Sequence, residues 1–234
     1  MSLVLPLLAA AVGTSPVTEA PVLHPAISEK VVSWAALGRP DTLTDDRATD
    51  FAPLAAWIAE KKATGAPAHL VFVCTHNSRR SHMAQLWAQA AAVHKGLDQV
   101  RAWSGGTEAT AFNPRAVQAL KGHGMWVVDT GETKGDGNPV YNTKLGPKLP
   151  GIKGFSKTYD DPFNPQQGFA AVMVCSEADR SCPFVAGADI RVSIPYVDPK
   201  ASDGTPDEEA TYARKSSEIG HEMTWLMGEV AKRL

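Results

Sequence analysis

Residues His69-Leu70-Val71-Phe72-Val73-Cys74 form a short run that is apolar nearly throughout and does not alternate. Such a strand has both faces covered, as in a parallel sheet. The next five residues, Thr75 to Arg79, are polar and read as a loop. Over 81–93, Met83, Leu86, Trp87 and Ala90 recur at helical spacing. Strand, tight loop and helix open a βαβ unit. The pattern recurs with a strand at 100–104 that ends on Gly105-Gly106. Asn113 then caps a helix with Pro114 at its first position. Strands are expected at 170–175 and 189–194, and a closing helix at 206–232, with Tyr212, Ile219, Met223, Leu226 and Val230 on one face.

Upstream, a short helix is expected at 27–37. A second covers 50–62, with Phe51, Leu54, Ala55 and Ile58 on one side and Thr44 or Asp45 as a cap for the stretch before it. Residues 129–168 are rich in Gly, Pro, Asn and Lys and show no clean period, so they read as an insertion with little regular structure.

Composition narrows the function. The 234 residues are 44% hydrophobic and 21% charged, with a net charge of −2. That balance argues against a broad nucleic-acid surface and leaves room for a local basic pocket. Three cysteines do not make a secreted disulfide scaffold, and no Cys-x-x-Cys pair offers a zinc finger. The apolar stretch 3–12 is too short to span a membrane, and no basic residue precedes Lys30. A flexible or docking arm is expected there rather than a signal peptide, with a cytoplasmic location and no membrane partner.

The chemistry concentrates at Cys74-Thr75-His76-Asn77-Ser78-Arg79-Arg80-Ser81. A loop of this length between a strand end and a helix start can turn its N–H groups inward as a nest for a tetrahedral oxyanion. Arg80 can grip two oxygens with its planar fork. Cys74 lies at the bottom, and the same positive field favours its thiolate. Ser81 is placed to donate a hydrogen bond to that sulfur, and Asn77 to hold the loop shape. Thr75, His76, Ser78 and Arg79 complete the expected oxyanion-binding segment.

Cys175 and Cys182 lie seven positions apart, about 10 Å along a rigid helix. A disulfide between them requires the segment to loop. Spacing alone fits two unrelated buried thiols as well as a switchable pair. Asp160 and Asp161, before Pro162, read as a solvated turn, with a lid carboxylate pair as the alternative. His82 is expected to pack or be partly exposed, and His94, His123 and His221 to lie at the surface or at caps.

The segment 70–81 resembles the phosphate-binding loop of the low molecular weight protein tyrosine phosphatase family, and within it the thioredoxin-coupled arsenate reductases. Ser104-Gly-Gly-Thr-Glu108, Asn113-Pro-Arg-Ala-Val117, the stretch Val174 to Pro183, and Val197-Asp-Pro199 carry the resemblance further, over about 68–232. It implies a four-stranded parallel open sheet flanked by helices, with the amino-terminal helical extension added. It implies Cys74 as nucleophile, Arg80 as oxyanion grip, Asn77 as loop amide, Ser81 as thiolate partner and Asp198 as general acid. It also implies Cys175 and Cys182 as a resolving pair.

The activity implied is reduction of arsenate to arsenite, with thioredoxin as external reductant and no bound cofactor or metal. Departures are His76 where glycine is usual, the added Arg79, and Gln85 where potassium-binding relatives carry glutamate, which weakens the case for potassium. Residues 1–65 have no counterpart in the small enzymes. The rival reading is an aryl phosphate phosphatase using Cys74, Arg80 and Asp198. It leaves two cysteines unused, and Lys200 and Ala201 stand where such phosphatases carry tyrosines. A third is an oxyanion-binding or redox-sensing module without turnover.

Overall fold

The computed structural model describes residues 22–234; the expected arm at 3–12 lies outside the described residues. Four parallel strands form the central sheet in the order β2-β1-β6-β7: β1 (Ala68–Cys74), β2 (Val100–Gly106), β6 (Phe169–Met173) and β7 (Ala188–Ser193). Every residue of β6 is buried, as is all of β1 except His69, which is what the unbroken apolar runs require. Chain direction across the sheet reverses between β1 and β6. The crevice beyond their carboxyl ends is the switch point where open α/β sheets bind ligands. Cys74 ends β1 at that crevice.

Helices α3 (Arg80–His94) and α4 (Pro114–Gly122) follow β1 and β2, and α5 (Ser176–Ser181) is a single short turn after β6. The long α6 (Glu208–Ala231) is wrapped by α1 (Pro25–Leu37), α2 (Asp45–Ala63), α3 and α4. Gly220 lets α6 pass the edge-packed Trp34 and Trp87, because a Cβ there would come within 2.6 Å of Trp34 and 2.9 Å of Trp87. Ile27, Val31, Phe51, Leu54 and Ile58 of the extension share one core with β1, α3 and α6.

The structure corrects two expectations about elements. Helix α2 starts at Asp45, because Thr44 accepts a hydrogen bond from the Arg47 N–H at 3.3 Å. Asp45 and Asp46 then suit its positive end, and Pro53 is carried inside the helix. The segment 129–168 is not an irregular excursion. Its first part belongs to a three-stranded antiparallel sheet of β3 (Trp126–Thr133), β4 (Pro139–Lys144) and β5 (Ile152–Gly154). Only Val127 of β3 is buried, so this exposed edge strand carries little of the apolar pattern that reveals strands. Of the two roles expected for His82, the structure shows packing: it is 1% exposed and stacked on Phe112 with ring centroids 3.8 Å apart. Among the described residues no helix is long and apolar enough to cross a membrane.

Candidate active site

The loop after β1 is shaped by where its carbonyls go. Cys74 O accepts from Thr107 N at 3.1 Å and Thr75 O from Glu108 N at 2.9 Å. His76 O takes the hydroxyls of Ser156 at 2.8 Å and Thr110 at 3.2 Å, and Ser78 O takes Asn113 N at 2.9 Å. These carbonyls are tied outward. Across trans peptides the next N–H in each case points the opposite way, so the amides of Thr75, His76, Asn77 and Arg79 turn into the loop. Gly106 makes the arrangement compact. A Cβ there would strike the Glu108 carbonyl and lie 2.7 Å from both Asn77 N and Thr75 O.

Asn77 is fully buried at φ +44°, a left-handed conformation that Asn tolerates better than most residues. Its Nδ2 donates to Ser81 Oγ at 2.8 Å, and its Oδ1 accepts from Lys157 N at 2.9 Å. Ser81 Oγ therefore already accepts a hydrogen bond from Asn77, which leaves its own hydrogen for Cys74 Sγ at 3.1 Å. Cys74 is 3% exposed.

Arg80 Nη2 lies 2.7 Å from Asp198 Oδ2, and Nη1 donates to Tyr196 O at 2.9 Å. Its Nε is buried with no hydrogen-bond partner, a donor suited to an oxyanion in the loop. Asp198 also caps the 3-10 turn Pro199–Ser202 through Lys200 N. The structure turns Arg79 toward α6: Nε donates to Tyr212 Oη at 2.8 Å, and Nη2 lies 3.5 Å from Asp203. Tyr212 donates in turn to Asp203 at 2.7 Å, and burial with that bond pushes its hydroxyl up to about 12. His76 points to the rim, where Nε2 lies 2.9 Å from Glu108 Oε1.

Cys175 is 1% exposed and caps α5, accepting from Ala178 N at 3.3 Å, while its sulfur lies 3.4 Å from Thr75 Oγ1. Val174 N bonds Val73 O, which keeps β1 and β6 in step up to the loop. Cys175 thus follows the end of β6 at the level of the loop that Cys74 opens. Cys182 sits at the other end of α5, partly exposed, its carbonyl held by Arg191 Nε at 2.9 Å. All three thiols are free. Asp161 Oδ1 accepts from Phe163 N at 2.8 Å, which is turn capping.

Several residues at the site escape sequence reasoning. The Asn138 side chain holds the Ser156 backbone at both ends, Nδ2 donating to Ser156 O at 2.8 Å and Oδ1 accepting from Ser156 N at 3.0 Å, and so fixes the Ser156 hydroxyl that donates to the His76 carbonyl. Lys157 is 3% exposed, packed against the rings of Phe155 and Phe163. Burial lowers its ammonium to about 8. His82 lies beside it, held well below its ordinary value by burial first and the Lys157 charge second, and so neutral. Gln85, at the position of the doubtful potassium ligand, is neutral and donates to Ala102 O at 3.1 Å. Among the described residues no three His, Cys, Asp or Glu side chains gather as metal ligands.

Fold and loop together define a cysteine-centred oxyanion site at the head of a parallel sheet. The sequence pattern of the low molecular weight phosphotyrosine protein phosphatase family matches residues 69–132. An arsenate reductase of Halalkalibacterium halodurans is 30% identical over 152 residues, covering 64% of this chain and 88% of that protein. One from Bacillus subtilis is 28% identical over 155 residues, covering 66% and 91%. Among solved structures, a low molecular weight protein tyrosine phosphatase from Bacillus subtilis superposes with a TM-score of 0.46 at 18% identity, over 70% of this chain and 97% of its own. The chain belongs to the low molecular weight phosphatase family and, within it, groups with proteins named arsenate reductases.

Proposed function

We propose that this protein reduces arsenate to arsenite through Cys74, Cys175 and Cys182, with a thioredoxin-like dithiol as the external reductant. The observation that carries the reading is the placement of Cys175 against the loop, its sulfur 3.4 Å from Thr75, one residue beyond Cys74 on the neighbouring strand. A phosphatase has no use for a second thiol there. The similarity to named arsenate reductases supports the same reading.

Arsenate enters the loop against the inward amides and Arg80 Nε. The Cys74 thiolate attacks As(V), and Asp198 protonates the departing oxygen to give water. Cys175 thiolate then attacks the Cys74 sulfur. The S–As electron pair passes to arsenic, releasing arsenite as As(III), and a Cys74–Cys175 disulfide forms. Cys182 thiolate attacks Cys175 and frees Cys74. In the reduced structure Cys175 and Cys182 stand at opposite ends of α5. That helix must unwind before they can join, which carries the disulfide outward to the reductant. Thioredoxin dithiol returns the two electrons.

Arsenate without added reductant tests this directly. The reduced protein, with its three free thiols, should release one arsenite and lose two thiols. Arsenite-free incubation with all thiols retained refutes the proposal. A second reading, aryl phosphate hydrolysis, would use the same Cys74 and the Arg80–Asp198 pair, 2.7 Å apart, without Cys175. Phosphate released with no thiol loss is its signature.

A further inference from the structure

The amino-terminal extension reaches the loop that carries Asp198. Arg47, in the first turn of α2, makes a two-pronged pair with Glu222 of α6: Nε to Oε1 at 2.9 Å and Nη2 to Oε2 at 2.8 Å. Thr42 Oγ1 adds a third bond to the same carboxylate at 3.2 Å. Glu222 is fully buried in the apolar stripe of α6. The remaining arm, Nη1, donates to Pro195 O at 3.0 Å, and the guanidinium lies 4.7 Å from the Tyr196 ring centroid. Tyr196 O is the acceptor of Arg80 Nη1, and Asp198 follows two residues on, 2.7 Å from Arg80 Nη2.

A continuous set of bonds therefore runs from Glu222 through Arg47, Pro195 and Tyr196 to Arg80 and Asp198. We propose that Arg47 is a positioning residue for Asp198. By clamping the Pro195 carbonyl and the Tyr196 ring, it fixes the height at which the acid loop presents its carboxyl to the leaving oxygen.

The extension then supplies part of the catalytic geometry rather than a separate cover. A planar, always charged guanidinium suits this role, because it serves the carboxylate and the carbonyl at once from fixed directions. A lysine would keep the charge opposite Glu222 but could not hold both partners with the same geometry. The inference rests on the proposed role of Asp198 as general acid.

The test replaces the pair together, Arg47→Met with Glu222→Met, so that no charge is left buried alone. Arg47→Lys is the second variant should the double replacement fail to fold. Amide exchange of residues 194–203 is compared with wild type. Loss of one charge-assisted bond should speed it about tenfold, with exchange in β1 unchanged. Arsenate turnover should show kcat reduced about tenfold and KM held within about twofold, since the acid acts in the transition state. In an Asp198→Asn background the same replacement should cost nothing further, which a purely structural role would not predict.

Unchanged exchange at 194–203, or a full additional loss in the Asp198→Asn background, overturns the proposal. The exchange measurement needs no turnover. Failure of wild type to reduce arsenate would therefore fall on the functional reading, with the positioning role still decided by exchange.

Discussion

At the residue scale, the site works through two side chains that cannot be swapped for near neighbours. Asn77 holds a left-handed backbone, accepts from the Lys157 amide and donates a hydrogen bond to Ser81, all from a fully buried position. Ser81 thereby has one hydrogen left, aimed at Cys74. Ser81→Ala should slow the thiol chemistry ten- to hundredfold, roughly the rate equivalent of one hydrogen bond to a charged group. Single-turnover arsenite release measures it, and Cys74→Ser should abolish release.

Lys157 carries a different prediction. Its ammonium titrates at 10.5 when unperturbed and about 8 in the fold. Between those values the unfolded chain binds more protons, so stability rises with pH across that window and Lys157 adds no slope below it. The gain is roughly 3 kcal/mol at most. Denaturant midpoints from pH 7 to 10 should show this rise relative to Lys157→Met, which removes it. Parallel curves for the two proteins would contradict the buried charge.

At the scale of elements, legibility followed burial and contiguity. β1 and β6 were readable because each is an unbroken apolar run, and the loop because its residues adjoin one another in sequence. β3 to β5 were not, because their exposed faces and glycine turns erase the alternation that marks a strand. The Arg47–Glu222 pair was also hidden, since its members lie 175 positions apart. A signal did exist. Arginine is unfavourable in the first turn of a helix, and Glu222 interrupts an apolar stripe between Ile219 and Met223. Two charges misplaced by local rules suggest a tertiary partner.

The short α5, capped at both ends by cysteines, is the element expected to change. Oxidation to the Cys175–Cys182 disulfide should abolish amide protection at 176–182 and leave β6 protected. Full retention of that protection in the oxidised protein would contradict an unwinding cascade.

At the scale of the molecule, extension and catalytic unit share one core, and α6 is enclosed by helices from both. Removing residues 1–66 would bare the α6 surface against which α2 packs, with Phe51 edge-on to Trp225, and leave Glu222 without its cation. An unpaired buried charge alone costs about 3–5 kcal/mol, a large part of a domain's stability. The full chain should unfold in one transition, and the 67–234 fragment should fail to fold cooperatively. Calorimetry of both decides it.

The reductase reading itself is tested by NADPH oxidation in the presence of arsenate, thioredoxin and thioredoxin reductase, with wild type and Cys175→Ser side by side. Sustained arsenate-dependent oxidation by wild type, lost in Cys175→Ser, is the expected result. No arsenate-dependent oxidation, alongside aryl phosphate hydrolysis that is indifferent to Cys175→Ser, would contradict it and leave a phosphatase with two idle thiols.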